Sequence, residues 1–182
     1  MAHVCPWWMG YLLVNPLRRF LENPGKILAP LIAPGDTVVE PGCGMGYFTL
    51  PAARLAGERG RVVALDVQEK MLAGLRRRAR RAGLERRIET RLVDGGGLKL
   101  SDFSGLASVA LALHVVHELP DQAGFFRDLA GALAPGGRLL FMEPKGHVSA
   151  EGFAASLKAA EAAGLSLLRR EGPLKAILQK VA

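Results

Sequence analysis

Residues 37–48 read Thr37-Val38-Val39-Glu40-Pro41-Gly42-Cys43-Gly44-Met45-Gly46-Tyr47-Phe48, a short β-branched run, an acid, and glycines at alternate positions ahead of a segment of helical period. This is a strand–turn–helix signal. Glycines so spaced let the backbone approach a ligand closely and leave amide donors free at a helix N-terminus. Asp66 closes the next β-branched run, 20 residues after Gly46, where a carboxylate can accept from both ribose hydroxyls of a nucleoside.

Outward from this stretch, short apolar runs alternate with helical ones, the pattern of strand and crossover-helix units. Strands are expected at 37–40, 61–66, 88–93, 107–113, 138–143, 166–170 and 175–181. The clearest helix puts Met71, Leu75, Ala79 and Ala82 on one stripe, with Gly83 closing it. Others open near Asp121, stopping before Pro135-Gly136-Gly137, and at Ser149. Only Glu171-Gly172-Pro173-Leu174 separates the last two strands, so they should pair as an antiparallel hairpin. The expected fold is α/β: a Rossmann-like, doubly wound, seven-stranded mixed sheet with a reversed last strand, flanked by helices. Residues 1–182 read as one domain, with 1–35 a helical flap built of 6–20 and 24–32, and 36–182 the core.

Composition narrows the function. The chain has 182 residues, 49% hydrophobic and 23% charged, and only two cysteines, Cys5 and Cys43. That excludes disorder, a disulfide scaffold and a four-thiolate zinc site, and no metal site is expected. No stretch offers the roughly 20 unbroken apolar residues of a membrane span, and the first apolar run precedes its arginines, the wrong order for a signal peptide. A cytoplasmic protein is expected. Of the net charge of +7, most lies between Arg76 and Arg91, where eight arginines face two glutamates. That run ends a helix and precedes a strand, which puts it across the domain from the glycine turn. A solvated face complementing the helix dipole is the expectation, and nucleic acid is not the expected partner.

Glu40, Asp66, Asp94, His114, His117, Glu143, Lys145 and His147 all fall at or just past the carboxyl ends of five consecutive strands, the ligand-binding edge of an open α/β sheet. Val38 through Gly46 resembles the first motif of class I S-adenosylmethionine-dependent methyltransferases, E/D-x-G-x-G-x-G. Ala64-Leu65-Asp66 resembles their second-strand acid, Leu92-Val93-Asp94 their adenine-side acid, and Leu133-Ala134-Pro135-Gly136-Gly137-Arg138-Leu139-Leu140 their turn before strand five. With Val116-His117-Glu118-Leu119-Pro120-Asp121 after strand four, the chain is most similar to the small-molecule, type 11-like branch.

The resemblance implies S-adenosylmethionine as cofactor. Gly42, Gly44 and Gly46 would border its methionine moiety and Glu40 would accept from its ammonium. Asp66 would hold the ribose, Val67 flank the adenine, and Asp94, with Gly95 beside it, accept from the adenine amino group. It also implies that the end of strand four faces the methyl group, which makes His114 and His117 the candidate bases. Trp7 and Tyr11, with Trp8 and Phe20, are candidates for a lid over the acceptor. Glu143, Lys145 and His147 are candidate acceptor contacts. Leu113-His114-Val115-Val116 stands where base-flipping amino-methyltransferases carry D/N-P-P-Y/F, which argues against that chemistry. The expected reaction is methyl transfer to a small molecule, in a monomer or a homo-oligomer. The alternatives are an RNA or protein methyltransferase, a non-catalytic sensor of the cofactor, and an NAD dehydrogenase, which would prefer G-x-G-x-x-G.

Overall fold

A computed structural model of the chain describes residues 22–181. They fall into two compact units that divide between Asp94 and Gly95.

In the first unit, β1 (Thr37–Pro41), β2 (Arg61–Asp66) and β3 (Ile88–Leu92) lie in the order β3-β2-β1, all parallel. Val39 stands beside Val63, and Val63 beside Glu89. Val38, Val39 and Val62 to Leu65 have no exposed surface. Such continuous apolar runs are what strands covered on both faces require. Among the described residues three α-helices accompany them: α1 (Pro24–Leu28), α2 (Thr49–Ala56) and α3 (Glu69–Arg81). Asn23 caps α1 by accepting from the Lys26 amide at 3.2 Å. Leu28, Leu31 and Ile32 are buried, so this part of the expected flap belongs to the core. The preceding stretch, with Trp7, Trp8, Tyr11 and Phe20, lies outside the described residues.

Helix α3 buries Met71, Leu72, Leu75 and Ala79. It ends in a Schellman motif: Gly83, at φ +66°, donates to Arg80 and Leu84 donates to Ala79 at 2.9 Å. The arginine run is less uniform than its composition suggests. Arg76 pairs with Glu69 and donates to Thr90 at 3.2 Å, Arg87 pairs with Glu58 at 3.6 Å and Arg91 with Glu89 at 2.7 Å, while Arg77, Arg80, Arg81 and Arg86 are exposed.

The second unit orders its strands β4-β5-β7-β6, with β4 (Ala107–Leu113), β5 (Leu133–Met142), β6 (Leu165–Gly172) and β7 (Lys175–Lys180). Strands β4 and β5 are parallel, and β7 is antiparallel to both β5 and β6, as expected, with a connection of two residues, Pro173-Leu174, where the sequence indicated four. The start of β5 differs from expectation. Leu133, expected from the sequence in the helix that stops before Pro135, already pairs with Ala107, and the ladder resumes with Arg138 beside Val109. Pro135-Gly136-Gly137 is therefore an irregularity inside the strand. Gly137 is confined there, since a Cβ would come within 3.0 Å of the Ala107 carbonyl oxygen.

Helices α4 (Gln122–Ala132) and α5 (Ala150–Ala162) begin at the expected caps. Asp121 accepts from Gly124 at 2.8 Å and Ser149 from Gly152 at 3.0 Å. The core of this unit is aromatic: Phe126 of α4 meets Phe141 of β5 edge-on at 5.5 Å, and Phe141 stacks on Phe153 of α5 at 4.4 Å.

Candidate functional site

In the first unit, β1 delivers Glu40 into the interior and the chain then turns through Gly42, Gly44 and Gly46, at φ +69°, +53° and +81°. The turn is held by Cys43 donating to Leu65 at 3.1 Å and Gly46 donating to Cys43 at 3.0 Å. Arg78 of α3 donates to the Met45 carbonyl, so this arginine reaches the glycine turn instead of solvent. The Met45 side chain lies over Gly74, where a Cβ would meet its Cγ at 2.9 Å.

The three glycines are not equivalent. At Gly44 a Cβ would meet nothing within 4 Å, whereas at Gly46 it would overlap Leu75 Cδ1 and lie 2.8 Å from Leu50 Cδ1. Gly46 is thus a packing residue, buried between two helices, and Gly44 borders open space. Gly46→Ala is expected to destabilise the protein by roughly 3 kcal/mol, combining ~1–2 for a left-handed alanine with ~1–3 for overpacking. Gly44→Ala should cost only the left-handed term, about 1–2 kcal/mol, and weaken cofactor binding by roughly tenfold or more. Urea unfolding and calorimetric titration of both variants check this contrast.

Glu40 is 3% exposed, and its Oε2 has no hydrogen-bond partner among the described residues. Burial pushes its carboxyl from 4.5 up to about 8; the Thr49 hydroxyl opposes the rise, and the Asp66 charge adds to it. Cys43 is buried beside both acids, and burial with these two charges pushes its thiol well up, so it stays a neutral thiol. Asp66 ends β2 with Oδ2 accepting from Gly44 at 2.9 Å and Oδ1 from Gln68 at 2.9 Å. Burial raises its pKa, and the amides of Gln68, Gly44 and Val67 work against that rise. Val67 beside it is 44% exposed, a large apolar side chain left facing outward. Asp94 lies exposed past the end of β3.

In the second unit, His114 follows β4 at φ +58° and its amide donates to Met142 at 2.8 Å. A 3-10 turn, Val116–Glu118, then presents His117. Glu143, a candidate acceptor contact, is buried against this histidine: its Oε1 accepts the His117 amide at 3.2 Å and its Oε2 lies 2.6 Å from Nδ1. A cleft of about 240 Å³ opens here, lined by His117, Glu143 and His147 together with Gln122, Ser149 and Ser156. The His117 and His147 rings are 5.7 Å apart. Lys145 is exposed and His114 is absent from the lining, and Gly95 is exposed at the start of the unit. Gln122 and Ser156 escaped the sequence reading. Ser156 donates to the Gln122 side-chain oxygen Oε1 at 2.8 Å, and Gln122 Nε2 donates to the Val116 carbonyl at 3.1 Å. The one signal was a serine on the apolar stripe of Phe153, Leu157 and Ala160. Trp7 and Tyr11 lie outside the described residues. No three histidine, cysteine or acidic side chains among those described are placed so that they could hold a metal ion, and no described helix is long and apolar enough to cross a membrane.

The family model described as a methyltransferase domain matches residues 38–137. An arsenite methyltransferase of Halobacterium salinarum is 32% identical over 117 residues, which are 64% of this chain and 29% of that protein. The aklanonic acid methyltransferase DauC of a Streptomyces is 30% identical over 130 residues, 69% of this chain and 57% of that one. The chain therefore spans less than two thirds of either relative. A crystal structure of an S-adenosylmethionine-dependent methyltransferase from Aquifex aeolicus superposes with a TM-score of 0.83 at 22% identity, covering 97% of this chain and 98% of that one, which shows the shared Rossmann-like fold.

The residues present fit the family's cofactor. The unpartnered Glu40 oxygen suits an ammonium, the open flank of Gly44 leaves room beside the turn, and each Asp66 oxygen keeps a lone pair for a ribose hydroxyl. With its glycine turn, the acids closing β1 and β2, and a family match over more than half its length, the chain belongs to the class I S-adenosylmethionine-dependent methyltransferases.

Proposed function

We propose that the chain transfers the methyl group of S-adenosylmethionine to a small-molecule acceptor. The observation that carries this reading is the buried, unpartnered Glu40 oxygen beside a glycine with an empty flank. Glu40 accepts from the ammonium, Asp66 binds the ribose diol, Val67 covers one adenine face, and Asp94, followed by Gly95, accepts from the adenine amino group. When bound, the cofactor supplies a methyl carbon already activated by a sulfonium, so the chain's remaining work is to position the acceptor, exclude water and manage a proton. Of the two candidate histidines we assign that last role to His117, whose ring lines the cleft, with His147, Gln122 and Ser149 contacting the acceptor. The names of relatives that act on aklanonic acid and on arsenite support a small acceptor.

The proposal treats residues 1–182 as one cytoplasmic methyltransferase domain, alone or as a homo-oligomer. Nucleic acid is not the expected substrate: Arg76, Arg87 and Arg91 pair with glutamates, and the exposed Arg77, Arg80, Arg81 and Arg86 are read as a solvated face. Calorimetric titration with S-adenosylmethionine, S-adenosylhomocysteine and NAD tests the reading. Binding of the first two is expected, and binding of NAD alone overturns it. A salt-sensitive affinity for RNA would return the arginine face to function.

A proton balance tests Glu40 itself. The folded protein keeps this proton to about pH 8 while the unfolded chain releases it near 4.5. The folded state therefore binds more protons in that window, and Glu40 makes stability fall as pH rises from 4.5 to about 8, with no further change above it. An ammonium bound at Oε2 requires the carboxylate, so cofactor binding at pH 7 should release about 0.9 proton. Calorimetry in buffers of different ionisation enthalpy reads this number, and Glu40→Gln should abolish it.

A further inference from the structure

We propose that Glu143 is a positioning residue that fixes His117 as its Nδ1–H tautomer, and that the acceptor is a neutral hydroxyl compound, a phenol or an enol, which surrenders its proton to His117 Nε2. This rests on the methyl-transfer reading above and names its substrate class.

The tautomer follows from the donor inventory. A carboxylate only accepts, and the Glu143 oxygens face one backbone N–H at 3.2 Å and one ring nitrogen at 2.6 Å. Nδ1 must carry a proton, which in the neutral ring leaves Nε2 with its lone pair. Nε2 makes no hydrogen bond among the described residues, and the nearest carboxylate, Glu118, is 4.0 Å away. The side chain of Glu143 is 2% exposed, so the pair is shielded and its geometry is held. Gln122, fixed between Ser156 and Val116, gives the same cleft a rigid amide.

The acceptor class follows from charge. Among the described residues no lysine or arginine lines the cleft, while a carboxylate does. An acceptor that arrives as an anion, such as a thiolate, meets repulsion and no counter-charge. One that arrives neutral and protonated needs a base, and the base is present. The acceptor oxygen forms its bond to the methyl carbon, the carbon–sulfur bond breaks with its electron pair staying on sulfur, and the hydroxyl proton passes to Nε2. The resulting imidazolium is held between Glu143 and Glu118.

The test uses the full chain with ¹⁵N-labelled histidine, His117 being assigned by its loss in His117→Gln. A protonated Nδ1 and bare Nε2 at neutral pH are expected for His117, and a mixture of tautomers in Glu143→Gln. A His117 protonated at Nε2 alone overturns the proposal without any variant. In parallel, ¹³C-methyl S-adenosylmethionine is incubated with catechol, 2-naphthol and thiophenol. An O–CH₃ product is expected, reduced about 10²-fold or more in Glu143→Gln, with cofactor affinity unchanged. Methyl transfer only to the thiol, indifferent to Glu143, overturns it. Loss of cofactor binding by the unmodified chain would instead sink the broader reading.

Discussion

Replacing Asp66 by alanine is expected to lower affinity for S-adenosylmethionine by several orders of magnitude. The carboxylate offers two charge-assisted hydrogen bonds to the ribose diol, each worth roughly 1.5–3 kcal/mol. The same oxygens bind the amides of Gly44 and Gln68 in the absence of ligand. The substitution therefore also frees the glycine turn. Asp66→Asn separates these contributions, because one oxygen remains as an acceptor for a turn amide while the charge is lost; it should fall between wild type and alanine. Titration calorimetry on both variants gives the answer, and near-normal affinity for Asp66→Ala would remove this residue from the cofactor site.

Phe141→Ala should lower the unfolding free energy of the protein by about 3–5 kcal/mol. Phe141 has no exposed surface, stacks on Phe153 at 4.4 Å and meets Phe126 at 5.5 Å, so its loss empties the centre of three contributing elements. Leu167→Ala offers a control on the same unit. That side chain is 40% exposed on the edge strand β6, and its truncation should change stability by less than about 1 kcal/mol. Urea titrations compare the two.

Most strand positions were legible because their causes are local. Val38-Val39 and Val62 to Leu65 carry the unbroken apolar runs of covered strands, and Asp121, Ser149 and Gly83 carry cap chemistry that acts within four residues. The glycine turn and Asp66 were legible for a related reason, since their spacing along the chain is itself the geometry of a strand–turn–helix unit. Where the reading went astray, the cause was a partner distant in sequence. Leu133 joined a strand because Ala107 was there to pair with it. Gly46 has a packing role that the spacing could not show, because Leu75, on another helix, occupies the space its Cβ would take. Arg78 left the solvated face because the Met45 carbonyl, 33 residues earlier, lay within its reach.

The same division runs through the site. Composition and spacing by themselves determined that this is an α/β chain with a glycine turn and acids at the carboxyl edge of its strands, since propensity, periodicity and turn chemistry are short-range properties. Only the tertiary structure decided what the second unit's polar residues do. Glu143 and His117 stand 26 positions apart and Gln122 and Ser156 stand 34 apart, so no local pattern relates them. Parallel alignment of β4 and β5 brings the residues that follow them together, and burial then makes the carboxylate and the imidazole each other's partner.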